Sequence, residues 1–255
     1  MTPRQSVSQG TVQRFARHIP RPIKWHLRRY RRRFRRTFDS KWYRHTMQGE
    51  PTLWAELGRL QFDFLIGQGL QPQHYLLDVG CGPLRAGVHF IRFLEPGHYY
   101  GVERDADVLG AGRDVELPLQ GLADRRPVLT VMEDFSFDRL GQTFDYALAQ
   151  SVFTHLPLNK VIRCLMSIER VLVSGGKFFA TVYLNERGKK YLDPIEQAPG
   201  TVTHMDKNPF HYEFATFEWI CEGTGLTPEY LGDWNSPRNQ KMLLFTKTGE
   251  EATSG

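Results

Sequence analysis

The chain has 255 residues, of which 40% are apolar and 24% charged, and a formal net charge of +5. These values are typical of one globular domain with appendages and exclude a largely disordered or fibrous chain. No uninterrupted apolar run approaches the roughly 18 to 20 residues that span a bilayer, so no transmembrane helix is expected. The cysteines Cys81, Cys164 and Cys221 have no paired spacing, and the first residues lack the apolar core of a secretory signal. We therefore expect a reduced, cytoplasmic protein without a disulfide framework or a metal site.

The positive charge is concentrated at the beginning of the chain. Residues 1–45 contain fourteen Lys or Arg and a single acid, whereas the remaining residues contain nineteen basic and twenty-seven acidic side chains. After Pro20 and Pro22, apolar and aromatic residues recur every three or four positions, with arginines at most positions between them: Ile23, Leu27, Tyr30, Phe34 and Phe38. This spacing predicts a basic amphipathic helix within residues 23–42.

Four interpretations of this basic helix are compatible with the sequence. It can bind peripherally to an anionic membrane, because its arginines flank an apolar face. It can follow the phosphate backbone of a nucleic acid, which attracts arginine but makes no use of an apolar face. Its apolar stripe can pack on the rest of the protein with the arginines in solvent, and an Arg-rich, acid-poor beginning also resembles an organelle transit peptide. The aromatic stripe favours the membrane surface.

The rest of the chain alternates short apolar runs with helical patterns. A helix is expected from Leu53 to Leu65, followed by strands at 75–80, 99–103, 127–133, 144–150, 177–184, 228–234 and 240–247. Further helices are expected at 86–94, 107–117, 161–171 and 214–222, and an irregular polar stretch at 185–211. Alternating strands and helices predict a largely parallel sheet covered on both faces. The chain thus divides into a basic, partly helical arm (1–48), an α/β domain (49–248) and a flexible tail (249–255).

A glycine-containing turn follows the first of these strands, in the segment LLDVGCGPLRAG (76–87). Gly80 and Gly82 lack a Cβ, so the backbone there can approach a ligand closely. About twenty residues later the second strand ends at Glu103, whose carboxylate can accept hydrogen bonds from ribose hydroxyls. A dinucleotide fingerprint would have a third glycine where this chain has Arg85. The pattern indicates a nucleoside site unlike that of a nicotinamide or flavin dehydrogenase, or else a tight structural turn.

In combination, these features resemble the class I S-adenosylmethionine-dependent methyltransferases over roughly residues 76–247. The segments occur in the family's order: DVGCG after the first strand, Glu103 after the second, MEDF after the third, FDYALAQSVFTHL at the fourth and ERVLVSGGKFFAT into the fifth. The resemblance implies a Rossmann-like, doubly wound sheet of seven strands, with the last strand antiparallel and inserted beside the fifth. The short connection from Trp234 to Gln240 has no room for a crossover helix, which agrees with an antiparallel final pair. The chain departs from the family at Leu84, where many members have glycine.

The resemblance also implies which residues contact the cofactor, S-adenosylmethionine. The implied contacts are Asp78, Gly80, Cys81 and Gly82 at the methionine end, Glu103 at the ribose, Asp134 and Phe135 at the adenine, and Gln150 and Ser151 beside the transferred methyl. For each of them the alternative is a helix cap or a solvated strand end. Taken together, their order along the chain favours the cofactor site.

Methyl transfer from a sulfonium depends mainly on alignment, but a hydroxyl acceptor also profits from a general base. His155, just beyond the fourth strand at the ligand-facing edge of the sheet, is the candidate base; otherwise it caps the next helix or packs beneath the site. Further acceptor-side candidates lie in the polar stretch after the fifth strand and in the turn between the last two strands: His204, Asp206, His211, Tyr212, Glu213, Asp233, Trp234, Asn235 and Arg238. Arg85 and His89, on the first helix, are expected to be structural or exposed.

The leading hypothesis is a methyltransferase that uses S-adenosylmethionine and a small-molecule, sugar or lipid-linked acceptor, with oxygen as the methylated atom. The second is a nucleic-acid methyltransferase guided by the basic arm. Enzymes that methylate exocyclic base amines usually have Asn or Asp, two prolines and an aromatic residue after the fourth strand, and the sequence Gln150–Phe153 differs from that pattern. The third is a binding protein that keeps the fold without turnover, for which the departure at Leu84 is a sequence indication.

Overall fold

The computed structural model describes residues 43–44, 51–185 and 192–249. The chain divides after Met47 into two units, and of the first unit only Tyr43 and Arg44 are described, both in helical conformation. The basic helix predicted within residues 23–42 lies outside the described residues, and so does most of the predicted tail. Within the described part, no helix is long and apolar enough to cross a membrane. The architecture reported below is that of the second unit.

A seven-stranded sheet forms the centre of this unit. The strands in chain order are β1 (Leu76–Val79), β2 (Tyr99–Glu103), β3 (Val128–Val131), β4 (Phe144–Ala149), β5 (Leu172–Val182), β6 (Ile195–Ala198), β7 (Thr201–Thr203), β8 (Leu226–Asp233) and β9 (Lys241–Lys247). The sheet order is β3–β2–β1–β4–β5–β9–β8, and β6 pairs with β7 in a separate hairpin. Strands β1 to β5 are parallel, and β9 is antiparallel to both β5 and β8. The predicted fold class, with its antiparallel last strand beside the fifth, is confirmed.

The helices of the unit are α1 (Pro51–Gly67), α2 (Gly87–Phe93), α3 (Ala106–Ala111), α4 (Leu158–Val171) and α5 (Phe214–Cys221). The single helix predicted at 107–117 is not regular: α3 continues into a π-helical turn, Gly112–Glu116, and a last turn, Leu117–Leu119. Two residues account for the change. Pro118 has no N–H to continue the α-helical hydrogen bonds, and Gly112 approaches so closely that a Cβ there would lie 2.8 Å from Leu84 Cγ.

Two hydrophobic layers cover the sheet, one on each face. Along β1, Leu77 and Val79 belong to one layer with residues of α4 and α5, whereas Leu76 belongs to the other layer with residues of α1 and α2. Because side chains alternate along a strand, Asp78 faces the same layer as Leu76. The alternation therefore places a carboxyl group, 5% exposed, at the ligand-facing end of the strand and beneath the layer that contains α1 and α2.

The polar stretch after β5 contains regular structure that the sequence reading missed. Strands β6 and β7 form an antiparallel hairpin, with Gly200 at a φ of +75° in its turn. An isolated bridge joins His204 to Phe210, and another joins Leu184 to Tyr212. In the described part of the predicted irregular segment, residues 195–203 thus form a hairpin, and a bridge follows it.

Candidate functional site

The carboxyl ends of the parallel strands bring the predicted site residues to one edge of the sheet. Asp78 pairs in register with Gly101 on β2 and with Leu148 on β4. Glu103 is the last residue of β2, and Gln150 directly follows β4. Because neighbouring parallel strands end at the same edge, residues that are distant in sequence meet there.

The turn after β1 has the backbone geometry that its glycines predict. Gly80 and Gly82 have φ values of +71° and +58°, and the N–H groups of Gly80 and Cys81 donate to the carbonyl of Val102 at 2.8 and 3.1 Å. A Cβ on Gly80 would lie 2.6 Å from Val152 Cγ2, whereas a Cβ on Gly82 would meet no atom within 4 Å. The turn is therefore held tightly against β2 and beside Val152, and it has open space at Gly82.

Leu84 has the left-handed backbone conformation that usually favours glycine. Its φ is +64°, and its side chain is fully buried in the same layer as Leu76. Gly87 and Gly112 leave the space for this side chain, since a Cβ on either would lie within 2.9 Å of Leu84 atoms. The departure from the family pattern is thus compensated locally, and the turn keeps a left-handed residue at this position.

Glu103 connects the end of β2 to the glycine turn. One carboxylate oxygen accepts the N–H of Gly82 at 3.2 Å, and the other accepts the N–H of Asp105 at 3.0 Å. Burial raises the pKa of this carboxyl, and the backbone hydrogen bonds oppose that shift. Each oxygen retains a second acceptor position, so the carboxylate can both anchor the turn and accept hydroxyl groups of a ligand.

Asp78 and Cys81 lie beneath this turn. Asp78 accepts a hydrogen bond from the Tyr99 hydroxyl at 2.7 Å, and burial raises its pKa to about 6. The Cys81 side chain is 7% exposed and packs in the layer that contains Leu76, where burial raises the pKa of its thiol. The thiol is therefore a packing group.

Asp134 and Phe135 follow β3, the outermost strand on this side of the sheet. The carboxylate of Asp134 is exposed and accepts the N–H of Ser136 at 3.2 Å, and the hydrogen bonds from Ser136 lower its pKa. Phe135 has a φ of +60°, and its ring contacts Phe137 with a centroid distance of 6.0 Å. This turn presents an acceptor oxygen and an aromatic surface, which are the groups that an adenine ring uses.

A network of buried amide and hydroxyl groups lies over the ends of β4 and β5. The Gln150 Nε2 donates to Ser151 Oγ at 2.8 Å, and Ser151 Oγ donates to Gln240 Oε1 at 2.9 Å. Thr181 Oγ1 also donates to Gln240 Oε1, at 3.0 Å, and accepts the Ser151 N–H at 2.7 Å. From α1, Gln61 Nε2 donates to Gln150 Oε1 at 3.3 Å. The structure thus joins the predicted residues Gln150 and Ser151 to partners on three other elements.

Arg85 also belongs to this network, a position that the sequence did not predict. Its Nη2 donates to Gln150 Oε1 at 2.6 Å, while Nε and Nη1 are buried and have no hydrogen-bond partner among the described residues. Burial, together with the positive charge of Arg238, lowers the pKa of the guanidinium to about 10. Helix α1 approaches closely here, because a Cβ on Gly58 would lie 2.5 Å from the Arg85 carbonyl oxygen. The sequence did contain an indication that Arg85 is buried, because it stands between Leu84 and an alanine, and both of these residues lie in the core.

His155 lies on the exposed side of the turn that follows β4. Its Nδ1 donates to Asn208 Oδ1 at 2.7 Å, which leaves the lone pair on Nε2. The helix after it, α4, has Pro157 at its N-cap without a side-chain cap bond, so His155 does not cap this helix. The Tyr212 hydroxyl donates to the carbonyl of Leu156 at 2.5 Å. The segment after β5 therefore contacts the turn after β4 twice, through Asn208 at His155 and through the Tyr212 hydroxyl at Leu156.

The other acceptor-side candidates differ in their surroundings. His211 is 1% exposed, and burial lowers its pKa. Its Nδ1 lies 2.9 Å from Thr203 Oγ1, whereas its Nε2 has no hydrogen-bond partner in the described ranges. Asp233 is paired with Lys241 at 2.7 Å, and its side chain is 74% exposed. Arg238, in the turn after β8, interacts electrostatically with Arg85. Arg238 thus lies within electrostatic range of the network through Arg85, whereas the Asp233 side chain is exposed. No cluster of three metal-ligating side chains occurs among the described residues.

The comparison with known proteins agrees with this geometry. Residues 77–180 match the family model for a methyltransferase domain. No curated protein matches the chain. A solved structure of magnesium protoporphyrin IX methyltransferase from Synechocystis PCC 6803, with bound S-adenosylmethionine, is similar with a TM-score of 0.57 and 14% identity, over 83% of this chain and 91% of that chain.

Two further structures show the same likeness. The CcbJ methyltransferase from Streptomyces caelestis has a TM-score of 0.58 and 15% identity, over 75% of this chain and 90% of that one. An S-adenosylmethionine-dependent methyltransferase from Clostridium acetobutylicum ATCC 824 has a TM-score of 0.57 and 12% identity, over 81% of this chain and 96% of that one. At these identities the likeness establishes the fold, and the family match extends from β1 into β5. Residues 77–180 therefore match a methyltransferase domain, and the second unit has the fold seen in S-adenosylmethionine-dependent methyltransferases.

Proposed function

We propose that the protein transfers the methyl group of S-adenosylmethionine to the oxygen of a small-molecule, sugar or lipid-linked acceptor. The observation that carries this proposal is the shared edge of the sheet. There, the open turn at Gly82 and the carboxylate of Glu103 adjoin the polar network of Gln150. We assign the nucleoside of the cofactor to the first group and the acceptor to the second, since a two-substrate transfer reaction requires neighbouring sites.

The residues at this edge fit S-adenosylmethionine. Glu103 has acceptor positions left for the ribose hydroxyls, and Asp134 presents an exposed carboxylate for an amine such as that of adenine. Asp78, Gly80 and Gly82 border the place proposed for the methionine part. When bound, the cofactor supplies a methyl group on an already activated sulfonium. The chain's own contribution is to hold donor and acceptor in line, which can provide about 7 to 11 kcal/mol of the barrier.

His155 is the proposed general base for an oxygen acceptor. Asn208 accepts the Nδ1 hydrogen, so Nε2 is the basic atom, and the exposed ring is accessible from the rim of the site. A positioned base contributes about 10² to 10⁴-fold to a proton-transfer step. Tyr212 is a weaker candidate, because its hydroxyl is engaged with the Leu156 carbonyl and burial raises its pKa.

The acceptor class is supported by two considerations. The magnesium protoporphyrin IX methyltransferase is named for a small-molecule acceptor, and the residues Gln150–Phe153 differ from the pattern of base-amine methyltransferases. A nucleic acid remains the alternative acceptor, favoured by the fourteen basic residues within 1–45. A protein that binds the cofactor without turnover is the other alternative.

We also propose that residues 23–42 contact an anionic membrane from the cytoplasmic side. The support is the sequence spacing of Ile23, Leu27, Phe34 and Phe38 among arginines, each of which contributes about 1 kcal/mol near an anionic surface. Co-sedimentation with anionic and neutral vesicles at physiological salt tests this, comparing the full chain with one that starts at Gly49. Binding of the full chain to anionic vesicles only is expected; its failure to bind them would contradict the membrane proposal.

Calorimetry with S-adenosylmethionine, followed by a donor-turnover assay, tests the main proposal. The assay should include hydroxylated small molecules, glycans and lipid-linked sugars, with duplex DNA and structured RNA as separate arms. Binding with turnover on the first group supports the proposal, and turnover on nucleic acid alone supports the alternative. Binding without turnover in any arm indicates a binding protein, and no binding of the cofactor refutes the enzymatic function.

A further inference from the structure

The buried guanidinium of Arg85 has donors that the protein does not use. Of its five N–H groups, the described residues accept only through Gln150 Oε1, at 2.6 Å from Nη2. Nε and Nη1 are buried and without a partner in the same part of the chain. Buried donors are nearly always hydrogen-bonded, and a buried cation without an anion is costly. A ligand atom that accepts hydrogen bonds from Nε and Nη1 is the simplest explanation for these buried donors.

The electrostatic surroundings of Arg85 favour an anion as that acceptor. The positive charge of Arg238 lowers the pKa of the Arg85 guanidinium, so a second cation lies within electrostatic range of Arg85. The nearby carboxylate of Asp78 attracts Arg85, yet Asp78 accepts its hydrogen bond from the Tyr99 hydroxyl. Among the described residues, no carboxylate forms an ion pair with the Arg85 guanidinium. An anion between the two arginines would relieve their repulsion.

The positions of Arg85 and Arg238 in the fold favour a carboxylate as the anion. Arg85 reaches from the turn after β1 to Gln150 at the end of β4, and Arg238 comes from the turn that precedes β9. Arg85 thus lies between the glycine turn after β1 and the Gln150 network at the ends of β4 and β5. We call this place the junction of the proposed cofactor and acceptor sites. The planar fork of a guanidinium matches the two oxygens of a carboxylate.

We propose that Arg85 and Arg238 bind a carboxylate group at the junction of the cofactor and acceptor sites. This inference rests on the proposed function. The carboxylate belongs either to the amino-acid part of S-adenosylmethionine or to an acidic acceptor. In both cases Arg85 makes the bidentate contact with its free donors, and Arg238 adds charge from the rim.

Two ligands distinguish the cofactor source. S-adenosylhomocysteine carries the amino-acid carboxylate, and 5′-methylthioadenosine lacks it while keeping the nucleoside. For Arg85→Met, calorimetry should show a Kd for S-adenosylhomocysteine raised at least 10-fold, with the Kd for 5′-methylthioadenosine changed less than threefold. Arg238→Met, in an exposed turn, should raise the first Kd by about three- to tenfold. Arg163→Met removes an exposed arginine from α4 and serves as the matched control.

A second pair of ligands tests the acceptor source. Benzoate and the neutral benzamide are added to the parent and to Arg85→Met, with and without saturating S-adenosylhomocysteine, and the melting temperature is recorded. An acidic-acceptor site predicts that benzoate alone stabilises the parent and that this shift is lost in Arg85→Met.

The outcomes separate this inference from the proposed function. Binding of 5′-methylthioadenosine by the parent tests the nucleoside site independently of Arg85. If Arg85→Met and Arg238→Met behave as Arg163→Met does in both ligand series, the carboxylate site is refuted even when the nucleoside binds. If Arg85→Met weakens all four ligands equally and lowers the melting temperature, Arg85 is a structural residue and the inference is also refuted.

Discussion

Replacing Glu103 with glutamine tests the cofactor site with little change in side-chain size. In the parent, the two carboxylate oxygens accept the N–H groups of Gly82 at 3.2 Å and Asp105 at 3.0 Å. In Glu103→Gln one oxygen becomes an NH₂ group, which cannot accept and which opposes one of these N–H donors. The same change removes half of the acceptor positions that we assign to the ribose hydroxyls.

The expected size of the effect follows from the charge that is lost. A hydrogen bond to a charged group contributes about 1.5 to 3 kcal/mol, which corresponds to roughly a 10- to 150-fold change in Kd. Calorimetric titration of Glu103→Gln with S-adenosylhomocysteine should therefore show a Kd raised within this range. Far-UV circular dichroism and thermal unfolding establish that the variant is folded.

A neighbouring carboxylate provides the matched control. Asp105 caps α3 by accepting the N–H groups of Asp107 at 3.0 Å and Val108 at 3.3 Å. In Asp105→Asn the amide oxygen keeps this acceptor role, so the Kd should change less than threefold. A folded Glu103→Gln protein with a Kd within threefold of the parent would remove Glu103 from the cofactor site and restrict it to anchoring the turn.

Two further predictions concern the base and the buried acid. His155→Ala should lower turnover on an oxygen acceptor at least 100-fold and leave cofactor affinity unchanged; turnover within a few-fold of the parent would direct attention to the buried Nε2 of His211. In the folded protein the pKa of Asp78 is about 6, above its ordinary value of 3.8. The folded state therefore binds the proton more tightly than the unfolded state does, and the stability of the protein falls as pH rises from about 4 to 6. Asp78→Asn should abolish this loss and be more stable than the parent at pH 7 by up to about 3 kcal/mol. Urea unfolding at several pH values measures the difference, which should vanish below pH 4; equal stabilities at pH 7 would contradict the raised pKa.

The parts of the site that adjoin strands could be predicted from the sequence. Gly80 and Glu103 each stand at the end of an apolar run, and parallel strands end at one edge, so their proximity follows from order alone. Gln150 follows from the same rule applied to β4. The fold class was predictable because seven strand patterns alternate with helical ones, and the short connection before β9 requires an antiparallel final strand.

The parts that depend on long side chains or on compensating gaps could not be predicted. Arg85 reaches a residue 65 positions away, and neither its spacing nor its neighbours specify that partner. In the sequence, Leu84 interrupts the pattern of glycines expected in the turn after β1. In the structure, Gly87 and Gly112 provide the space that lets Leu84 take a left-handed conformation. The hairpin of β6 and β7 is held by short strands whose pattern is too brief to distinguish from a loop.

The site combines two buried charges that the free protein stabilises poorly. Burial raises the pKa of Asp78 and lowers that of Arg85, so desolvation disfavours the charged form of each group. They attract each other, but Asp78 accepts a hydrogen bond from the Tyr99 hydroxyl, and Arg85 donates one to Gln150 Oε1. A ligand that carries an ammonium and a carboxylate, as the amino-acid part of S-adenosylmethionine does, would supply a partner for both charges. Asp78→Asn and Arg85→Met should therefore each raise the stability of the free protein while reducing the thermal shift produced by S-adenosylhomocysteine. A stabilised variant that kept the full thermal shift would show that the buried charge does not act on the ligand.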